Sequence, residues 1–263
     1  MARRSLSSWG MEIRCSASSH VGRRRNNEDA HVLRPDLGLV AVADGMGGYE
    51  GGGVASRLVA ETLVELFERI CCDPDATWPH APRPSVEPLV DLVGVGLLRA
   101  HHVVQERRRG VLARMGSTAA VVAWSGPYLA IGHVGDSRVY RLRDGELRAL
   151  TVDHSVAEEA RRAGMEDEAV ESAGFRHMLT RAVGMPGELG SEVVADRLRP
   201  GDVLLLCSDG VWEPLGADEI AAELERPCPD EAAQALVAAA YAAGSSDNLT
   251  AVVLRVDGER AAT

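Results

Sequence analysis

Strand-like stretches in this chain follow one another with no helix between them, and that order restricts the architecture more than any other feature. "STAAVVAW", "YLAIGHVGD", "SRVYRLRDG" and "ELRALT" succeed each other across residues 117–151. Only turn signals separate them, at Ser125-Gly126-Pro127 and Asp144-Gly145. "EIRCSASS", "AHVL" and "LGLVAVAD" read the same way earlier, as do "SEVVADRL", "DVLLLCSD" and "LTAVVLRV" later. Helical spacing of apolar residues marks Val54 to Ile70 and about Val86 to Arg109. A polar helical stretch runs from His154 to about Ala173. "ADEIAAELE" and "DEAAQALVAAAYAAG" form a last helix pair, the second with Asp230 as its N-cap. This is not the β-α-β alternation of a parallel sheet, and it predicts antiparallel sheets with helices packed outside. "DPDATWPHAPRPSVEP" is too dense in proline for regular structure and reads as a surface loop. There is no internal repeat.

Composition narrows the partners. Of 263 residues, 46% are hydrophobic and 25% charged, the balance of an ordinary globular chain. Aromatics make up 4%, so the core must be built from Val, Leu and Ala. A net charge of −11 argues against nucleic acid as the main partner. The arginine clusters Arg3-Arg4 and Arg107 to Arg109 read as solvated faces. Five cysteines, at 15, 71, 72, 207 and 228, form no C-x-x-C pair, which points to free thiols in a reducing compartment and to no zinc site. Cys207, inside an apolar strand, reads as core. No apolar run has membrane-spanning length, and "MARRSLSSWG" lacks the apolar segment of a signal peptide. The expectation is a flexible leader over residues 1–11, one domain over 12–263, no membrane partner, a cytoplasmic location and a monomer.

Three aspartates share one context. Asp44 follows "LVAVA", Asp209 follows "VLLLCS" and Asp136 follows "AIGHVG"; a fourth, Asp247, lies just before the last strand. A lone Asp-Gly is ordinarily a turn. Several carboxylates brought to strand rims in one domain repel each other unless a cation intervenes. Oxygen-only ligands favour Mg²⁺ or Mn²⁺ over zinc, and the eight histidines form no H-E-x-x-H pattern. Two such ions close together can activate a water and polarise a phosphoryl oxygen. Arg23 to Arg25 precede Glu28 and Asp29, placing a guanidinium near two more carboxylates. The chemistry indicated is phosphate-ester hydrolysis by metal-activated water. No C-x5-R signature offers a thiolate nucleophile instead. The glycines of "DGMGGYEGGG" leave two readings open, a phosphate-wrapping turn and a bend that turns a carbonyl toward a metal.

Taken in order, "NNEDA", "VADGMGG", "GSTAAVV", "GHVGDSRVYRL", "DHS", "LTRAVG", "LLLCSDGVWE" and "SSDNLTAVV" resemble the metal-dependent serine/threonine protein phosphatases of the protein phosphatase 2C-like class, in their bacterial form. The resemblance runs from "VGRRRNNEDA" to "SSDNLTAVVLRV". It implies an α+β fold, a four-layer α-β-β-α sandwich of two antiparallel sheets flanked by helix pairs, with a flap over about 156–178. It also implies hydrolysis of phosphoserine and phosphothreonine at a centre of two Mn²⁺ or Mg²⁺ ions, with a third, weaker ion. By that resemblance Asp44 is the bridging ligand and the Gly45 carbonyl completes the second site. Asp209 and Asp247 hold the first, and Asp136 with Asp209 the third. Glu28 and Asp29 position metal-bound water. Arg24 binds the substrate phosphate, although a one-residue shortening after Gly22 leaves Arg23 and Arg25 as alternatives. Met46 stands where some members carry a proton-donating histidine, so the proton donor must be another group. Gly53 replaces a common glutamate that is not a ligand, and Trp212 is expected to pack under the site. Phosphoproteins, with a serine/threonine kinase and its substrates, are the implied partners. Two rival readings are a phosphoprotein-binding module without hydrolysis and a regulatory phosphatase dedicated to one partner. On the resemblance, the "DGMGG" glycines bend the chain and present a carbonyl to the metal.

Overall fold

The computed structural model describes residues 3–6, 11–48, 51–72, 88–172, 175 and 177–258. In chain order the elements are β1 (Arg3–Leu6), β2 (Glu12–His20), β3 (Asp29–Arg34), β4 (Leu39–Met46), α1 (Gly51–Cys72), α2 (Pro88–Arg107), β5 (Gly116–Ser117), β6 (Ala119–Ser125), β7 (Tyr128–Val134), β8 (Arg138–Arg143) and β9 (Glu146–Ala149). They continue with α3 (Val156–Arg162), α4 (Asp167–Ser172), β10 (Glu192–Arg197), β11 (Val203–Cys207), α5 (Asp209–Trp212), α6 (Ala217–Leu224), α7 (Pro229–Ala242) and β12 (Leu249–Asp257). One sheet has the order β1-β2-β12-β11-β8-β9 and the other β10-β7-β6-β4-β3, with β5 continuing against the end of β4. Every pairing is antiparallel, as the uninterrupted strand runs require.

Strand alternation sorts the apolar side chains into three layers of core. On β4, Leu39, Ala41 and Ala43 pack against α1 and α2, while Val40 and Val42 face the other sheet. On β11, Leu204 and Leu206 point between the sheets, while Val203, Leu205 and Cys207 face α6 and α7. Val252 and Leu254 of β12 complete the layer between the sheets. The result is the four-layer α-β-β-α sandwich. Cys207 is fully buried, and burial pushes its thiol pKa up, as befits a core residue. The core is aliphatic throughout, with Phe67 and Trp124 its main aromatic members.

Four details differ from the sequence expectation. Arg3–Leu6 of the expected flexible leader pair with β2, covering backbone groups that an edge strand would otherwise expose. Helix α1 starts at Gly51, three residues before the apolar periodicity begins, and so takes in the glycines of "GGG". Helix α7 is capped at Cys228 with Pro229 at its first position. That puts Asp230 in the first turn, where its carboxylate suits the helix dipole and accepts a hydrogen bond from Ser16. The polar stretch after His154 is two short helices, α3 and α4. The proline-rich loop lies outside the described residues up to position 87, as do the Cys71 and Cys72 side chains.

The layer between the sheets should dominate stability. Leu206→Ala, at a site with no solvent exposure, is expected to lower unfolding stability by about 2–5 kcal/mol. Val194→Ala on the exposed face of β10 should change it by less than about 0.5 kcal/mol. Urea denaturation of both variants checks the contrast; equal losses would refute the layer assignment.

Candidate metal centre and its cleft

The apolar layer between the sheets stops at one rim, and carboxylates take its place. Asp44 continues the inward face of β4 and pairs in register with Asp29 of β3. Asp209 begins α5 directly after β11, Asp136 sits in the turn between β7 and β8, and Asp247 precedes β12. Asp44, Asp136, Asp209, Asp247 and Glu28 all line one cleft of about 1370 Å³. Asp29 lies behind it, accepting a hydrogen bond from Ser208 Oγ at 2.8 Å. Because Asp29 and Ser208 belong to different sheets, that bond also ties the sheets together at the rim.

Neighbouring side chains hold the aspartate backbones rigidly and leave carboxylate oxygens free. Thr118 Oγ1 accepts from the Asp44 N–H at 2.9 Å, and the Thr118 N–H donates back to the Asp44 carbonyl at 2.8 Å. Ser137 meets the same Thr118 hydroxyl at 2.6 Å. The Asn248 amide accepts from the Glu28 N–H at 2.8 Å and donates to the Val21 and Asn26 carbonyls, each at 2.9 Å. Trp212 lies against the site and donates its indole N–H to the Asp136 carbonyl at 3.0 Å. Arg138 stacks 3.3 Å from the Trp212 ring centroid and makes two bonds to Asp153, at 2.8 and 2.7 Å. Thr118, Asn248 and Ser208 carry no charge, so charge counting along the sequence passes over them. Their only sequence signal is a position within two residues of a motif carboxylate or of its strand partner.

The glycines solve a packing problem. Gly45 lies inside β4, opposite Ser117, and a Cβ there would stand 2.0 Å from the Gly52 carbonyl oxygen. A Cβ on Gly52 would in turn stand 2.6 Å from the Gly45 carbonyl. The strand end and the first turn of α1 therefore touch backbone to backbone. The chain turns only beyond Met46, at Gly47 and Gly48, both with positive φ.

Crowding of like charges shows in the acidities. Burial first, then Asp29 and Asp209, raise Asp44 well above the usual carboxylate range. Burial and Asp209 push Asp136 up to about 7. Burial and Asp247 bring Asp209 to about 6. Asp29 also rises to about 6 by burial, despite hydrogen bonds from Thr250 and Ser208 that favour its charged form. Glu28 Oε1, Asp29 Oδ1 and Asp209 Oδ1 are buried without a hydrogen-bond partner. Unpartnered buried carboxylate oxygens call for a cation. Among the described residues, no three of these carboxylates bring oxygens within 4.8 Å of one another. An all-oxygen donor set suits hard ions that keep several waters, as Mg²⁺ does.

Of the arginines, Arg24 donates to Asp247 at 2.7 Å and to the Ser246 carbonyl at 3.1 Å, and it lines the cleft. Arg25 lines the cleft as well, whereas Arg23 lies 5.9 Å from the Tyr241 ring and does not. A different group, His133, His154 and Glu192, has ligand atoms within 4.8 Å of one another and could hold a metal ion by spacing alone. It lies outside the lining of the cleft. His154 accepts the Gly135 N–H at Nδ1 and meets Glu192 through Nε2 at 3.2 Å, with Arg181 at 3.4 Å from the same nitrogen. In this form the group is a hydrogen-bond network that joins β10 to the loop before α3.

Three comparisons with known proteins agree. The family model described as Protein phosphatase 2C matches residues 17–243. The serine/threonine protein phosphatase PstP of Mycobacterium tuberculosis is 34% identical over 247 residues, 93% of this chain; the chain spans 45% of that relative's length. Protein phosphatase PhpP of Streptococcus pneumoniae is 29% identical and matches over 95% of this chain and all of its own length. A solved catalytic domain of PstP in complex with two manganese ions superposes with a TM-score of 0.77 at 32% identity, over 94% of this chain and 99% of that one.

A carboxyl whose folded pKa is raised destabilises the fold as pH climbs from about 4 through that pKa. With Asp209 at about 6, Asp209→Asn should stabilise the metal-free protein by roughly 1–3 kcal/mol at pH 7.5, and by about a third of that at pH 4.5. Mn²⁺ should raise the Tm of the parent at pH 7.5 and raise that of the variant much less. Thermal melts with and without Mn²⁺ at the two pH values decide it; a pH-independent difference would contradict the crowding.

Proposed function

This chain belongs to the protein phosphatase 2C family, and on that premise we propose that it hydrolyses phosphoserine and phosphothreonine in proteins. The reading rests on one observation: aspartates from four separate segments converge on a single cleft with buried, unpartnered carboxylate oxygens. Asp44, the Gly45 carbonyl, Asp209 and Asp247 would together hold two Mn²⁺ or Mg²⁺ ions, and Asp136 with Asp209 a weaker third. Such ions supply Lewis acidity, which activates the attacking water and neutralises phosphoryl charge.

The chain's own groups then orient and exclude. Glu28 faces the cleft and is positioned to hold the attacking water, while Asp29 supports it from behind through Ser208. Arg24, with 56% of its side chain exposed, is the proposed phosphate-binding group, and Arg25 stands beside it in the same lining. Met46 lines the cleft and offers no proton, so the leaving group must take one from water or from another side chain. The segment 156–178 is the proposed flap of a catalytic domain spanning 12–263; His177 within it lines the cleft. The PstP domain bound to two manganese ions supports the ion count. Among the described residues no helix is long and apolar enough to cross a membrane. We place the protein as a cytoplasmic monomer acting on the substrates of a serine/threonine kinase.

The test is hydrolysis of p-nitrophenyl phosphate and a phosphothreonine peptide with Mn²⁺, Mg²⁺ or EDTA. Turnover should require the metal and fall at least ~100-fold in Asp209→Ala. Arg24→Ala should lower kcat/KM by about tenfold or more, with Arg23→Ala within about twofold of the parent. A folded protein that binds Mn²⁺ without turnover would make the chain a phosphoprotein-binding module instead.

A further inference from the structure

The cleft is larger than a phosphorylated side chain needs. Its volume of about 1370 Å³ exceeds the roughly 300–1,000 Å³ typical of small-molecule pockets. Beyond the carboxylates the lining changes character. One wall is the turn Gly110–Leu112 after α2, with Val111 at its tip 83% exposed and Leu112 half-buried behind it. A second segment of the lining carries Met185 and Pro186, and Met46 lines the cleft as well. Val111 and Leu112 on one segment, with Met185 and Pro186 on another, make a contiguous apolar part of the cleft lining, the kind of surface that marks an interaction site.

Two cations flank this apolar stretch. Arg108 donates through Nε to the Ala113 carbonyl at 2.9 Å and through Nη1 to the Gly184 carbonyl, which joins the two walls. Arg114 lies exposed on the same lining. Neither pairs with a carboxylate among the described residues, in a chain of net charge −11 where Arg138, Arg141 and Arg143 are each matched to an aspartate. The cleft therefore joins an acidic group to a cationic rim that has no carboxylate partner among the described residues. That rim is complementary to an anion other than the phosphate held beside the acidic group.

Resting on the phosphatase reading above, we propose that the Val111–Leu112 turn, Met185 and Pro186 form a peptide shelf selecting phosphopeptides with an apolar residue beside the phosphoresidue and an acidic residue near Arg114. Met185 on the shelf gives an adaptable apolar surface, so the apolar residue is chosen by class rather than by exact shape. The arginines supply the charge selection. Arg114, unlike Arg108, bonds to no part of the fold among the described residues, so its substitution tests selectivity without loosening the walls.

The experiment compares two phosphothreonine peptides that share a leucine beside the phosphoresidue and differ in carrying glutamates or lysines beyond it. The parent protein should favour the glutamate peptide by about three- to tenfold in kcat/KM, the range of a partly desolvated ion pair. Arg114→Glu should reverse the preference, and Val111→Asp should weaken both peptides relative to p-nitrophenyl phosphate. Equal rates for the two peptides, or an equal change of both in Arg114→Glu, would overturn the shelf. Turnover of p-nitrophenyl phosphate reports on the phosphatase reading separately. Should that turnover be absent, fluorescence anisotropy of both peptides on the metal-free protein still decides: tighter binding of the glutamate peptide, reversed in Arg114→Glu, supports the shelf, and equal binding refutes it.

Discussion

Everything in the candidate site depends on how two antiparallel sheets pack face to face. Val40, Val42, Leu204, Leu206, Val252 and Leu254 interdigitate between them and fix the spacing of β4, β11 and β12. Because side chains alternate along a strand, the position two beyond Val42 must also point between the sheets, and that residue is Asp44. From the opposite sheet, Ser208 stands two beyond Leu206 and meets Asp29, the register partner of Asp44. The polar rim is thus the continuation of the apolar layer by the same periodicity. A one-residue slip of β4 would turn Asp44 into the helix-facing core and remove the site together with the fold.

Much of this was legible from the residues. Strand order, antiparallel pairing and the outer helix pairs follow from periodicity, because alternation and helical spacing report directly which faces are buried. The aspartates at strand rims were legible for the same reason: an apolar run ending in a carboxylate announces its own depth. The role of the glycines was less so. The residues alone left a phosphate-wrapping turn and a bend both open, and only the three-dimensional approach of Gly45 to Gly52 shows why position 52 carries no side chain. The pairing of Arg3–Leu6 with β2 was equally hidden, since four residues with two arginines hold no clear alternation. Thr118, Asn248 and Ser208 were missed as supporting groups because neutral hydrogen-bonding residues leave no distinctive mark in a single sequence. Their importance is geometric, and it becomes visible only when their partners are known.

The supporting groups explain how a cluster of like charges can be held at all. Each buried aspartate loses solvation and gains repulsion, and the shifts of Asp44, Asp136 and Asp209 measure that cost. The neutral network spends its hydrogen bonds on backbone atoms: Thr118 on both polar groups of Asp44, Asn248 on the Glu28 N–H and two loop carbonyls. Ser208 gives one bond to Asp29, yet Glu28 Oε1, Asp29 Oδ1 and Asp209 Oδ1 stay without a partner. A site organised for stability alone would have used those donors on the charges themselves. Leaving Glu28 Oε1 and Asp209 Oδ1 unpartnered costs stability, as the proposed cation site would require.

The two ends of the cleft divide the work of recognition because they answer to different physics. Floor carboxylates act at contact distance in a buried setting, where charge is strong and geometry must be exact to a few tenths of an ångström; hence the rigid strands and the clamped backbone. Rim arginines act partly in water, where each contributes little and position matters less, so exposed turns suffice to carry them. Placing Arg114 on a turn rather than a strand therefore leaves peptide selection open to change through a few loop residues. The proposed metal-binding end has less such freedom, since Asp44 is fixed by the pairing of β4 with β3 and Asp209 directly follows β11.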